Sequence, residues 1–165
     1  MEAYREKIEQ YGSTMESMGL TPVAARVFVF LLFSEQGQST FEQILSYFNV
    51  SKSAVSNALK LLAAVNMIEG KTVGGKRKRY FQVSFQKMLD VQELSSRFRT
   101  YVHMLEDIGQ SRQSQTDAFA KELTAVSGLY KLMMIELPLI LERWKQMNSV
   151  NLANSSNLTN NTSLM

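Results

Sequence analysis

Between Phe41 and Val83 the apolar residues change their period, and that change limits the folds open to the chain. Phe41, Ile44, Leu45 and Phe48 recur at helical spacing, and Ser39-Thr40-Phe41-Glu42 reads as a capping box with Ser39 at N-cap and Glu42 at N3. Asn49-Val50-Ser51 is a tight turn. A second helix, predicted from Lys52 to about Asn66 with Ser51 as N-cap, turns Ala54, Val55, Ala58, Leu59, Leu62 and Val65 to one side. From Met67 the alternation is every second residue. Residues 67–73 therefore read as a strand, Gly74-Gly75 as a hairpin turn and residues 79–83 as the returning strand.

Short helix, turn, second helix and hairpin, in that order, predict a winged helix-turn-helix over residues 20–84. Upstream, Ile8, Tyr11, Met15 and Met18 form a narrow stripe on a helix that Gly19 ends. Thr21 then caps a new helix, with Pro22 at a position where its missing N–H costs nothing. That helix is apolar almost all round through Phe33 and should be the core, with residues 35–38 as a loop. Downstream, Leu94, Phe98, Tyr101, Leu105 and Ile108 make one helical stripe. Phe119, Leu123, Val126, Tyr130, Met133, Leu137, Ile140 and Trp144 make another. The polar stretch 109–115 between them is either a helix break or an exposed part of one long helix. Pro138 is expected to kink or end the second helix near Leu137, and the Asn- and Ser-rich residues 148–165 read as a disordered tail. The expected class is mainly α with a small β-hairpin wing. Its divisions are an N-terminal dimerisation helix (1–19), the winged domain (20–84), a helical dimerisation region (85–147) and the tail.

Charge narrows the function. Five of the 18 Lys and Arg residues fall within 70–80, where there is no acid; elsewhere 13 basic residues face 15 acidic ones. One concentrated cationic stretch on an otherwise acidic-leaning protein points to a localised anionic partner. Within it, GKTVGGK fits all but the last position of the phosphate-binding pattern G-x-x-x-x-G-K-[ST]. Arg77 stands where the magnesium-binding hydroxyl is needed, and a strand follows where a helix is required, so a nucleotide cradle is rejected. Nothing else supports an enzyme. His103, with Glu106 and Asp107 after it, lacks the further ligands of a metal site, and no cofactor is expected. Cysteine is absent, the N-terminus has no apolar signal core and no apolar run approaches the ~18 residues that span a bilayer. A cytoplasmic location and no membrane partner are the expectations.

The second helix of the winged unit carries short polar and cationic groups on its outer side. Ser53, Ser56 and Asn57 can reach base edges, Lys52 and Lys60 can reach flanking phosphates, and Ser51 caps the helix at its start. A hairpin tipped with Lys76, Arg77, Lys78 and Arg79 can follow the backbone or place an arginine in the minor groove. Double-stranded DNA is the expected partner. The alternative is a winged helix that serves as a protein-interaction or architectural module.

The stretch FEQILSYFNVSKSAVSNALKLLAAVNMIEGKTVGGKRKRYFQV resembles the DNA-binding core of MarR-type transcription regulators. With GLTPVAARVFVFLLFSE before it, the chain is most similar to the GbsR-like branch. The resemblance implies a homodimeric regulator of transcription, with residues 51–60 on the recognition helix and 74–79 at the wing. It also implies a small-molecule effector, such as an osmolyte precursor, in a pocket between winged and helical regions. The acidic residue that the family often carries at the wing turn is replaced here by Gly-Gly-Lys-Arg. Independently, stripes of 3.5-residue period outside the winged unit mark long helices that pack side by side. The predicted dimer surface comprises Ile8, Tyr11, Met15, Leu94, Phe98, Tyr101, Leu105, Phe119, Leu123, Val126, Tyr130 and Trp144.

Overall fold

Glu2–Tyr4 makes a single helical turn and α1 (Arg5–Ser17) follows it, closed by Gly19 at φ +100, a left-handed conformation that glycine adopts without a Cβ penalty. The computed structural model describes residues 1–72 and 78–160, the side chains of 149–160 excepted, and divides into two units, Met1–Leu89 and Asp90–Met165. In the first unit α2 (Pro22–Phe33) starts at Thr21 as expected and buries Ala24, Ala25 and every residue from Val27 to Leu31. Arg26, on its half-exposed side, is gripped by two carboxylates of α1: its Nε donates to Glu9 at 2.6 Å and its Nη1 to Glu16. The Glu9 and Glu16 hydrogen bonds push the Arg26 guanidinium above its ordinary value.

The loop expected at 35–38 gives way to β1 (Gln38–Thr40) at its end, a strand too short to leave an alternation in the sequence. The capping box of α3 (Phe41–Phe48) is therefore displaced by one residue from the expected Ser39 and Glu42. Gln43 N donates to Thr40 Oγ1 at 3.3 Å, and Thr40 N donates to Gln43 Oε1 at 2.8 Å. Ser39 is part of the strand, and its hydroxyl donates instead to Ser34 Oγ. Asn49 closes α3 at φ +50, and α4 (Lys52–Ala64) opens where Ala54 N donates to Ser51 Oγ at 3.2 Å. Val55, Ala58, Leu59 and Leu62 enter the core formed with α2, but Val65 is exposed, because the helix has ended one residue before it.

The hairpin strands are β2 (Ile68–Thr72) and β3 (Arg79–Val83). They pair antiparallel with Ile68 opposite Val83 and Thr72 opposite Arg79, and β1 adds to the other edge of β3. The result is a winged helix: mainly helical, with a three-stranded antiparallel sheet. The Gly74-Gly75 turn lies outside the described residues. A single-turn helix, α5 (Phe85–Met88), ends the unit.

In the second unit α6 (Val91–Ser111) packs on α7 (Ala118–Asn160), so the polar stretch is a break, at 112–117. Asp90 caps α6 through Gln92 N and Glu93 N. Asp117 receives Ala120 N at 2.7 Å and Arg112 Nη2 at 2.9 Å, which hold its carboxyl below the usual carboxylate range. Pro138, expected to kink or end α7, lies inside the helix without ending it: one missing N–H removes one bond from a 43-residue helix, and the remaining ladder continues. The stretch read as a disordered tail continues α7 as far as Asn160, while 161–165 lie outside the described residues. By length and composition Ala118–Asn148 is also apolar enough to cross a membrane, although Lys131 and Glu136 interrupt its apolar runs.

Candidate nucleic-acid interface

Four buried side chains fix the rotation of α4 about its axis. With Val55, Ala58, Leu59 and Leu62 held against the core, helical geometry turns Lys52, Ser53, Asn57 and Lys60 to solvent and leaves Ser56 half-buried. At the N-terminal turn Ser51 and Ser53 hydroxyls lie 3.0 Å apart, and Ser51 already serves the Ala54 amide. Ser51 is thus committed to the cap. Ser53, Ser56 and Asn57 remain the short polar groups on the helix, with a lysine at each end of the row.

The wing contributes unequally. Lys78 and Arg79 are exposed at the start of β3; Lys76 and Arg77 lie outside the described residues. Arg79 is not a free arm. Its guanidinium lies over the Phe81 ring, 5.3 Å from the centroid, and occupies the space beside Gly70, where an added Cβ would come within 2.5 Å of it. Gly70 pairs with Phe81 across the strands, so the glycine, the ring and the arginine share one face. Lys71, on the opposite face and missing from the predicted site, donates to Gln82 Oε1 at 3.5 Å and stays exposed. The excess of charge around it signalled it; the strand register was needed to place it. Residues 79–83 are a strand, not the helix that a nucleotide cradle requires.

A cleft of about 780 Å³ opens beside α3, lined among others by Phe30, Glu35, Glu42, Tyr47 and Tyr80. It has two carboxylates and no lysine or arginine on its walls, which is the wrong sign for phosphates. Burial raises the Tyr47 hydroxyl above its ordinary value. His103 is exposed, and among the described residues no three His, Asp or Glu side chains are grouped to hold a metal.

The predicted dimer surface separates into inner and outer parts. Ile8 is 0% exposed within the core of the first unit, and Leu105 is buried in the second. Neither is available to another chain, because each stripe is consumed first by the chain's own packing. Met15 is half-buried against the first core. Leu94, Phe98, Leu123 and Tyr130 are half-buried in the second unit, where Phe98 and Tyr101 both meet the Tyr130 ring edge-on near 5 Å. Tyr11, Tyr101, Phe119, Val126 and Trp144 remain exposed. So do Leu129, Leu132, Ile135 and Leu139, a row on α7 that the narrow stripe overlooked.

Residues 18–79 match the MarR family. The MarR-type segment thus runs from the end of α1 to the first residue of β3 and includes the whole helix-turn-helix. Among curated relatives, the chain is 30% identical over 78 residues to the HTH-type transcriptional regulator MmpR5 of Mycobacterium tuberculosis. The match takes in 47% of each, so the chain spans about half the length of that relative. Among solved structures it is similar to one described as a transcriptional regulator, with a TM-score of 0.69 and 24% identity, over 87% of this chain and 99% of the other. That likeness shows the fold and extends it beyond the MarR-type segment.

Proposed function

We propose that this protein is a MarR-family transcriptional regulator that binds double-stranded DNA sequence-specifically as a homodimer. The observation that carries the reading is the outer face of α4, where Ser53, Ser56 and Asn57 are bracketed by Lys52 and Lys60 above four buried anchors. Short polar groups enter a major groove without steric conflict and pair with base edges, while flanking lysines neutralise phosphates. Lys76, Arg77, Lys78 and Arg79 extend the cationic surface to the adjacent backbone or minor groove. Two copies related by a two-fold axis would read a pseudo-palindrome.

The finer parts of the reading are repression as the mode of action, the GbsR-like branch, an effector-responsive state and a cytoplasmic, non-enzymatic, membrane-free life. Repression, the branch and the effector rest on the resemblance of the segments quoted above. Against a membrane role stands the packing of α7 on α6, with Lys131 Nζ 2.5 Å from Glu106 Oε1.

Selection of genomic fragments with the purified protein tests the whole reading. Retained fragments should share a pseudo-palindromic site. Equal retention of all duplexes would favour an architectural role, and retention of none would favour a protein-interaction module.

A further inference from the structure

Ser127 is 5% exposed, and its hydroxyl has no hydrogen-bond partner. A buried hydroxyl left unpaired is costly, and a helical serine ordinarily avoids this by bonding a carbonyl one turn back. Thr124, three residues earlier, does so, donating to Ala120 O at 3.0 Å. Ser127 instead lines a groove of about 410 Å³ between α6 and α7.

The groove exists because large side chains are missing from its walls. Gly109 on α6 and Gly128 on α7 both border it, and a Cβ added at either would meet nothing within 4 Å. Leu105, Ala120 and Leu123 supply apolar wall; Gln110 also lines it, Gln115 and Thr124 donate to backbone carbonyls, and Glu106 and Lys131 form a mutual ion pair. Two other orphaned atoms, Tyr47 Oη and Arg112 Nε, differ from Ser127: both belong to residues that are only half-buried, and Arg112 already donates to Asp117.

We propose that this groove binds a small uncharged molecule with an apolar body and one hydrogen-bonding oxygen, which Ser127 receives. Its volume lies in the range of small-molecule sites, and its walls combine apolar side chains with polar ones. The class of ligand follows from the charges. The carboxylate and the ammonium neutralise each other, so an ionic ligand would have to break that pair, whereas a ketone or alcohol would not. The site lies wholly within the second unit and does not depend on DNA binding.

The test is calorimetric titration of the full-length protein, without DNA, using methyl naphthyl ketone as probe and naphthoate as its charged counterpart. The ketone should bind saturably, and naphthoate at least tenfold more weakly. Ser127→Ala should weaken the ketone roughly tenfold, the worth of one buried hydrogen bond. Gly128→Leu, which fills the groove, should abolish binding while the thermal melt stays cooperative; if it does not fold, Gly109→Leu makes the same test. Absence of ketone binding to the wild type would overturn the proposal, as would unchanged binding in the filled variant or equal binding of naphthoate. Because no DNA is present, these results stand apart from the success or failure of the regulator reading.

Discussion

Two side chains of the candidate interface differ in what their neighbours leave them free to do. Asn57 is exposed on α4 and makes no side-chain hydrogen bond among the described residues, so both its amide donor and its acceptor can meet a base edge. Asn57→Ala should change which operator is preferred, at a cost of roughly 1–3 kcal/mol on the best site and little on random DNA. Competition binding against a set of single-base variants reads this out; an unchanged ranking would remove Asn57 from base recognition. Arg79, seated on Phe81 and Gly70, should act on phosphate whatever the sequence. Arg79→Ala is expected to weaken all duplexes alike and to reduce the dependence of log affinity on log salt by about one phosphate's worth, a slope change near 0.9. Affinities measured from low to moderate salt would check it.

Two contacts decide how the elements of the first unit are joined. The displaced capping box makes Thr40, and not Ser39, the residue that starts α3. Thr40→Ala should cost about 1 kcal/mol in chemical denaturation, whereas Glu42→Gln should be near neutral; the reverse order would restore the box expected from sequence. Gly12 is the second. It is buried in α1, and a Cβ there would lie 2.8 Å from Arg26 Cγ, near the root of a side chain already held by Glu9 and Glu16. Alanine is the better helix former, so propensity alone favours the exchange. Overpacking should win: Gly12→Ala is expected to destabilise by on the order of 1 kcal/mol, measured by urea unfolding. The sequence showed the helices that meet here but not the site of closest approach, since a lone glycine in a helix carries no sign of what lies opposite.

At the scale of the whole molecule, the exposed apolar row on α7 is what a second chain would cover. Leu129, Leu132, Ile135, Leu139 and Trp144 are exposed together on a helix whose other side already packs on α6. Analytical ultracentrifugation at micromolar concentration should find a dimer. Leu132→Glu with Ile135→Glu should shift it toward monomer, and a monomeric wild type would refute the homodimer. The order of elements and the outward row on α4 were legible from sequence because each depends on periodicity within a short window, where covalent geometry fixes which residues share a face. The break at 112–117, the third strand, the internal burial of Ile8 and Leu105, and the groove at Ser127 were not. Each depends on which segment distant in the chain fills the space opposite, and that is settled only when the elements pack together.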